Sequence, residues 1–143
     1  LDLTASSYPF FPEYEIKPSK AIKLLLQAGV PLSNVTLTSD ACGSLPDFDE
    51  NGNLNKLEMG YPSSVLKEIK DSILEEKMDI TKAFSVATIN TAQLLRLFNK
   101  GKIEENMDAD LLILDKDFNI IHLLANGDVF VKNNEIIRKG TYE

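Results

Sequence analysis

The stretch Asn34-Val-Thr-Leu-Thr-Ser-Asp-Ala-Cys-Gly-Ser44 decides the fold. Val35, Leu37 and the residues between them read as a short buried strand, apolar and β-branched. The run ends where Ser39, Asp40, Gly43 and Ser44 take over. A carboxylate at the carboxyl end of such a strand points out of the sheet edge into a crevice. In parallel α/β architectures that edge is where chemistry is usually placed. Asp40 is therefore the first functional suspect; the plainer alternative is that it only caps the following turn.

Working outward, the preceding segments complete a βαβ pattern. Leu1 to Ala5 reads as a strand. Ser6 to Glu15 is a loop rich in aromatics and prolines, with Tyr8, Pro9, Phe10, Phe11, Pro12 and Tyr14. Packing as a lid over an apolar edge suits it better than ligand stacking. The spacing predicts a helix from about Pro18 to Ala28, with Pro18 in the first helical position and Gly29 just past the end. Its apolar residues cover most faces, so it expects burial. Strand, helix and strand in this order make a parallel sheet.

On the other side, residues 45–62 read as a polar loop with Pro46, Gly52, Gly60 and Pro62. Val65, Ile69 and Ile73 recur at helical spacing and predict an amphipathic helix from Ser63 or Ser64 to about Lys77. Asp79 can cap a second helix, Ile80 to about Ile89. Asn90 can cap a third, with Gln93 at the reciprocal position and Leu94, Leu95, Leu97 and Phe98 on its core face. After Gly101 the period changes to that of strands: Ala109–Leu114, Ile120–Ala125, Val129–Lys132 and Glu135–Lys139. Asn126-Gly127 and Asn133-Asn134 are the tight turns of an antiparallel meander. The chain thus divides near Lys100 into an α/β part, 1–100, and a small all-β part, 101–143.

Composition bounds the function. The chain has 143 residues, 43% hydrophobic and 26% charged, which suits a globular domain. Its 22 acidic and 15 basic side chains give a net charge of -7. That disfavours a nucleic-acid footprint, which needs clustered Lys and Arg. Cys42 is the only cysteine, so no intramolecular disulfide forms, which fits a reducing, cytoplasmic compartment. No apolar run is long enough to cross a bilayer.

Two further groups invite chemistry. Asp47, Asp49, Asn51, Gly52 and Glu58 fit the spacing of a calcium loop. Pro46, Gly60 and Pro62 around it argue for an acidic surface turn instead. His122 is the only histidine, and one imidazole does not build a metal centre. Cys42, Ser39 and Ser44 have no nearby base to activate them; Ser44 is better cast as a hydrogen-bond donor in a loop.

The Thr38-Ser-Asp40 strand end, the Gly43-Ser44 that follows and the tail resemble the amidohydrolase superfamily, in particular the isoaspartyl (β-aspartyl) dipeptidases. The tail runs Ala87-Thr-Ile-Asn90-Thr-Ala-Gln-Leu-Leu, then Gly101-Lys-Ile, Asp108-Ala-Asp110-Leu-Leu-Ile-Leu-Asp and Asn126-Gly127. The loop Asp49-Glu-Asn-Gly-Asn-Leu54 and the ending Lys139-Gly-Thr-Tyr-Glu143 are similar too.

The resemblance implies an α/β fold: the C-terminal part of a (β/α)8 metal-dependent hydrolase barrel, then strands of a small β-sandwich. It implies a zinc-dependent dipeptidase, a metalloprotease in the broad sense, that hydrolyses β-aspartyl peptide bonds with a dinuclear zinc centre. Asp40 would touch the metal and take a proton from the attacking water, and Ser44 would contact the β-aspartyl dipeptide. The residue after the catalytic aspartate, usually glycine in the family, is Ala41. The metal-binding histidines and lysine would lie upstream, so the chain reads as a fragment, inactive alone. Uncovered apolar faces then predict a homo-oligomer. The alternatives are another amidohydrolase-superfamily member, and a non-catalytic domain used for association or carrying a calcium loop.

Overall fold

A computed structural model describes residues 1–8 and 15–140 of the chain. Most of the aromatic loop (residues 9–14) and the last three residues of the Lys139–Glu143 ending lie outside the described residues, so the lid expectation is not addressed by them.

The βαβ unit forms as the sequence predicts. β1 (Asp2–Thr4) pairs in parallel with β2 (Thr36–Thr38), in the register Leu3 opposite Leu37. Between them lie α1 (Pro18–Gln27), opening on a proline, and a short 3-10 turn, Leu32–Asn34. The amide of Leu37, which faces away from β1, donates to the Val86 carbonyl at 3.1 Å. The inner side of β2 is therefore bonded on both flanks.

Residues 45–62 are a correction. They are a β-hairpin, not a loop: β3 (Ser44–Phe48) runs antiparallel to β4 (Leu54–Met59), with a register shift at Asp47/Phe48. Pro46 and the surrounding polar residues hide the pattern. The Asp49 carboxylate accepts the amides of Asn51 (2.9 Å) and Asn53 (2.8 Å) and so closes the turn.

Three helices follow: α2 (Ser64–Leu74), α3 (Ile80–Ser85) and α4 (Ile89–Leu94). Asp79 caps α3 as its position predicts, accepting the Lys82 amide at 3.1 Å. α3 ends at Ser85, four residues short of the expected end. Asn90 is not a cap; it lies inside α4, and its side chain donates to the carbonyls of Leu32 (2.7 Å) and Val35 (2.9 Å). That tertiary use outcompetes the local capping role. Leu94, Leu95, Leu97 and Phe98 do not form a core face: all four are exposed, Phe98 at 83%.

The core gathers where the parallel pair meets α1, α2 and α3. Ala5, Ile22, Val35, Leu37, Ile69, Ala83 and Val86 are buried together there. The tail is the expected meander, β5 (Leu111–Leu114), β6 (Ile120–Ala125), β7 (Asp128–Lys132) and β8 (Glu135–Ile136), antiparallel in chain order. Asn126, Gly127, Asn133 and Asn134 all have positive φ, the backbone that two-residue hairpin turns demand. Lys70 of α2 reaches the Asp117 carbonyl at 2.8 Å and joins the helices to the turn between β5 and β6.

Candidate active site

β1 and β2 are parallel, so both end on the same side of the sheet. Ser6 follows β1; Ser39 and Asp40 follow β2. The buried Ser6 hydroxyl bonds the Ser39 carbonyl and the Ser64 hydroxyl, and accepts the Tyr61 amide at 3.0 Å. One small side chain thus knots together the ends of β1, β2 and β4 and the start of α2. Its burial suits an uncharged hydroxyl whose bonds are all met inside the protein.

Asp40 is exposed beyond this knot, as a carboxylate at the strand's exit should be. Its φ of 50° and the 63° of Cys42 place two residues with side chains in the left-handed region within one tight turn. Such conformations are uncommon and cluster at functional sites. The turn is held by three backbone bonds. Gly43 donates to the Asp40 carbonyl, Cys42 to the Gly60 carbonyl and Gly60 to the Gly43 carbonyl, each at 3.0 Å.

Two glycines make this close packing possible. A Cβ on Gly43 would lie 2.8 Å from Asp40 Oδ1, and one on Gly60 would lie 2.3 Å from the Asp40 carbonyl oxygen. Neither distance is tolerable for carbon against oxygen. Asp40 is therefore seated between the backbone of its own loop and that of the β4 exit. The hairpin, which the sequence does not show as strands, is what brings Gly60 to this place. The signal that could have revealed it is the apolar alternation of Leu57 and Met59 before Gly60.

Ser44 opens β3 and is exposed. It stands four residues beyond Asp40, and among the described residues no hydrogen bond joins the two. Cys42 is an exposed free thiol beside Asp40. His122 lies in β6, and its Nδ1 accepts the Asn133 amide at 3.4 Å, a structural use within the meander.

The calcium-loop residues are not gathered. Asp49 is occupied with turn amides, Asp47 accepts from Asn55 at 3.1 Å, and Glu58 pairs with Lys56 at 2.6 Å. Glu58 stands opposite Leu45, two residues along β3 from Asp47. An extended hairpin spreads ligands that a calcium loop must wrap around one point. Among the described residues no three His, Cys, Asp or Glu side chains converge as a metal site.

Comparison with known proteins gives the chain its family and its structural neighbours. The family described as the amidohydrolase family matches residues 5–136. Adenine deaminase of Thermosipho africanus is 26% identical in an alignment 128 positions long that covers 84% of this chain and 22% of that protein. The β-aspartyl dipeptidase of the thermophilic, keratin-degrading Fervidobacterium islandicum AW-1, solved with a β-Asp-Leu dipeptide, is 33% identical with a TM-score of 0.83. That likeness covers 98% of this chain and 36% of that one. N-acetylglucosamine-6-phosphate deacetylase of Thermotoga maritima shares the fold at 20% identity and a TM-score of 0.64, over 90% of this chain and 38% of that one. The chain thus spans about a fifth of the curated deaminase and about a third of the solved structures.

Proposed function

We propose, from the premise that this chain belongs to the amidohydrolase family, that the whole protein is an isoaspartyl dipeptidase. The chain would then be the part that supplies its catalytic aspartate, Asp40. The observation that carries this reading is the seat of Asp40: an exposed carboxylate at the exit of β2, in a left-handed backbone, fitted between Gly43 and Gly60. The 33% identity to the F. islandicum dipeptidase supports β-aspartyl dipeptides as the substrate class.

In this reading residues 1–100 complete the barrel and 101–143 contribute strands to a small sandwich domain. A zinc pair, when bound, brings the pKa of water toward neutrality. Asp40 would be one of the residues that hold that pair, and the base of the reaction. One Oδ takes the proton from the attacking water and becomes a carboxylic acid, then gives that proton to the nitrogen as the amide C–N bond breaks. Aspartate and the freed amino acid leave, and the carboxylate is restored. Ser44 donates a hydrogen bond to the dipeptide and orients it. Working alone, the 143 residues would not turn over substrate, because one carboxylate does not hold the metal. The protein would be a homo-oligomer. No helix among the described residues is long and apolar enough to cross a membrane, and a cytoplasmic place is the reading we adopt.

The 26% identity to an adenine deaminase supports a second reading, deamination of a purine by the same aspartate. The test is to assay the intact zinc-loaded protein against β-Asp-Leu and against adenine. Release of leucine, falling by about a hundredfold or more in Asp40→Asn, is the expected result. Ammonia from adenine with no leucine from the dipeptide would replace the first reading by the second.

A further inference from the structure

We propose that β4 is a homomeric edge: two copies join by antiparallel pairing of their β4 strands about a two-fold axis through Leu57. This refines the homo-oligomer reading and is independent of the reaction.

The hairpin is a two-stranded sheet, and among the described residues neither outer edge is paired. The two edges are not equivalent. Gly60 donates to the Gly43 carbonyl and accepts from the Cys42 amide, so both main-chain groups of Gly60 turn toward β3. Main-chain direction alternates along a strand, so, counting back by twos from Gly60, Glu58 (opposite Leu45) and Lys56 (opposite Asp47) turn theirs inward too. The residues between them, Pro46 on β3 and Leu57 and Met59 on β4, turn their main-chain groups outward. Pro46 has no N–H to offer, so the β3 edge is blunted. The β4 edge keeps its outward donors at Leu57 and Met59.

The sequence of that edge is self-complementary. A two-fold axis at Leu57 sets Lys56 of one copy opposite Glu58 of the other, twice over. Within one copy Lys56 and Glu58 already pair at 2.6 Å; across the axis each also meets the opposite charge of the other copy, giving an alternating square of four. Opposite charges across a strand pair stabilise it and like charges oppose it. On the other face of the sheet Leu57 meets its own copy. Phe48, Leu54, Leu57 and Met59 are each at least half exposed there, and joining two hairpins extends this apolar strip into one surface.

Charge swaps test the register. Sedimentation of the intact protein is compared for the wild type, Lys56→Glu, Glu58→Lys, the double swap and an equimolar mixture of the two single variants. Each single variant places like charges across the axis in both positions. Each is expected to lose one association step, halving the mass, with self-association weaker by about tenfold or more. The mixture re-creates both opposite pairs and is expected to regain the wild-type mass, as is the double swap alone. Circular dichroism confirms that every variant is folded. Single variants that keep the wild-type mass overturn this interface while leaving the oligomer reading intact. So does a mixture and a double swap that both stay at half mass. A wild type that is monomeric at all concentrations overturns both.

Discussion

Asp40 adopts a left-handed backbone that an ordinary residue takes at a cost of order 1 kcal/mol or more. Aspartate tolerates it better than most, because its short polar side chain bonds locally. The reward is position: the loop turns sharply enough to set the carboxylate over Gly43. This makes Gly43 the most informative neighbour to change. In Gly43→Ala the new methyl would lie 2.8 Å from Asp40 Oδ1 and 2.9 Å from the Asp40 carbonyl oxygen, so the carboxylate and the turn beneath it must both shift. We expect turnover of the intact enzyme to fall by about tenfold to a hundredfold, while the thermal midpoint moves little, since the site is at the surface. Unchanged turnover would show that the place of the carboxylate does not depend on this contact. Asp40 and Gly43 are both legible in the sequence as a polar strand exit. Gly60 is not, because it reaches Asp40 only through the folded hairpin.

The pairing of α1 with α2 is electrostatic as well as apolar. Glu68, in α2 and 1% exposed, accepts the Ser19 amide at the first turn of α1 at 3.0 Å, where the helix dipole favours a negative group. Beside it Lys17 bridges Asp71 (2.7 Å) and Glu75 (2.6 Å). Burial opposes ionisation of Asp71, but hydrogen bonds from Lys17 and Lys67 outweigh it and hold the carboxyl below its ordinary value. Burial likewise works against the Lys17 charge, and the bonds to Asp71 and Glu75 raise its pKa overall. A depressed carboxyl stabilises the fold above its unfolded value, about 3.9, and loses this as pH falls through the folded value. A raised lysine stabilises below about 10.4 and loses this as pH rises through its folded value. The tie is therefore complete between about pH 4 and about pH 10. Lys17→Met should lower the denaturation midpoint at about pH 7 more than at about pH 3, which lies below the unfolded carboxyl value, where the contribution of Asp71 is being lost. An equal loss at both pH values would mean that packing of the lysine stem, not its charge, joins the helices.

At the scale of the molecule, Asn90 connects the last helix to the sheet. Its amide group donates to the Leu32 and Val35 carbonyls, at the two ends of the turn that leads into β2, and it is 6% exposed. Asn90→Ala removes both side-chain bonds, leaving the Leu32 carbonyl with only the Val35 amide, and should cost about 1–3 kcal/mol. Asn90→Asp should cost more, because a carboxylate would face two acceptors with nothing to donate. Chemical denaturation of both variants checks the order; Asp equal to or milder than Ala would mean that the site takes in water or a proton. The sequence by itself determined the elements whose information is local. Alternation, a proline at one helix start and paired turn residues such as Asn126-Gly127 predict the βαβ unit, three helices and the meander, because backbone preference and side-chain period act over a few residues. The aspartate at the strand exit was legible for the same reason. Only the tertiary structure decided what depends on contacts far apart in the chain. It turned a loop into the β3–β4 hairpin, moved Asn90 from a cap to a clamp and left Leu94, Leu95, Leu97 and Phe98 outside the core. It also carried Gly60 to Asp40 and kept the calcium-spaced carboxylates apart. A residue's neighbours along the chain set its backbone, but its neighbours in space set which of its hydrogen bonds and apolar contacts are finally made.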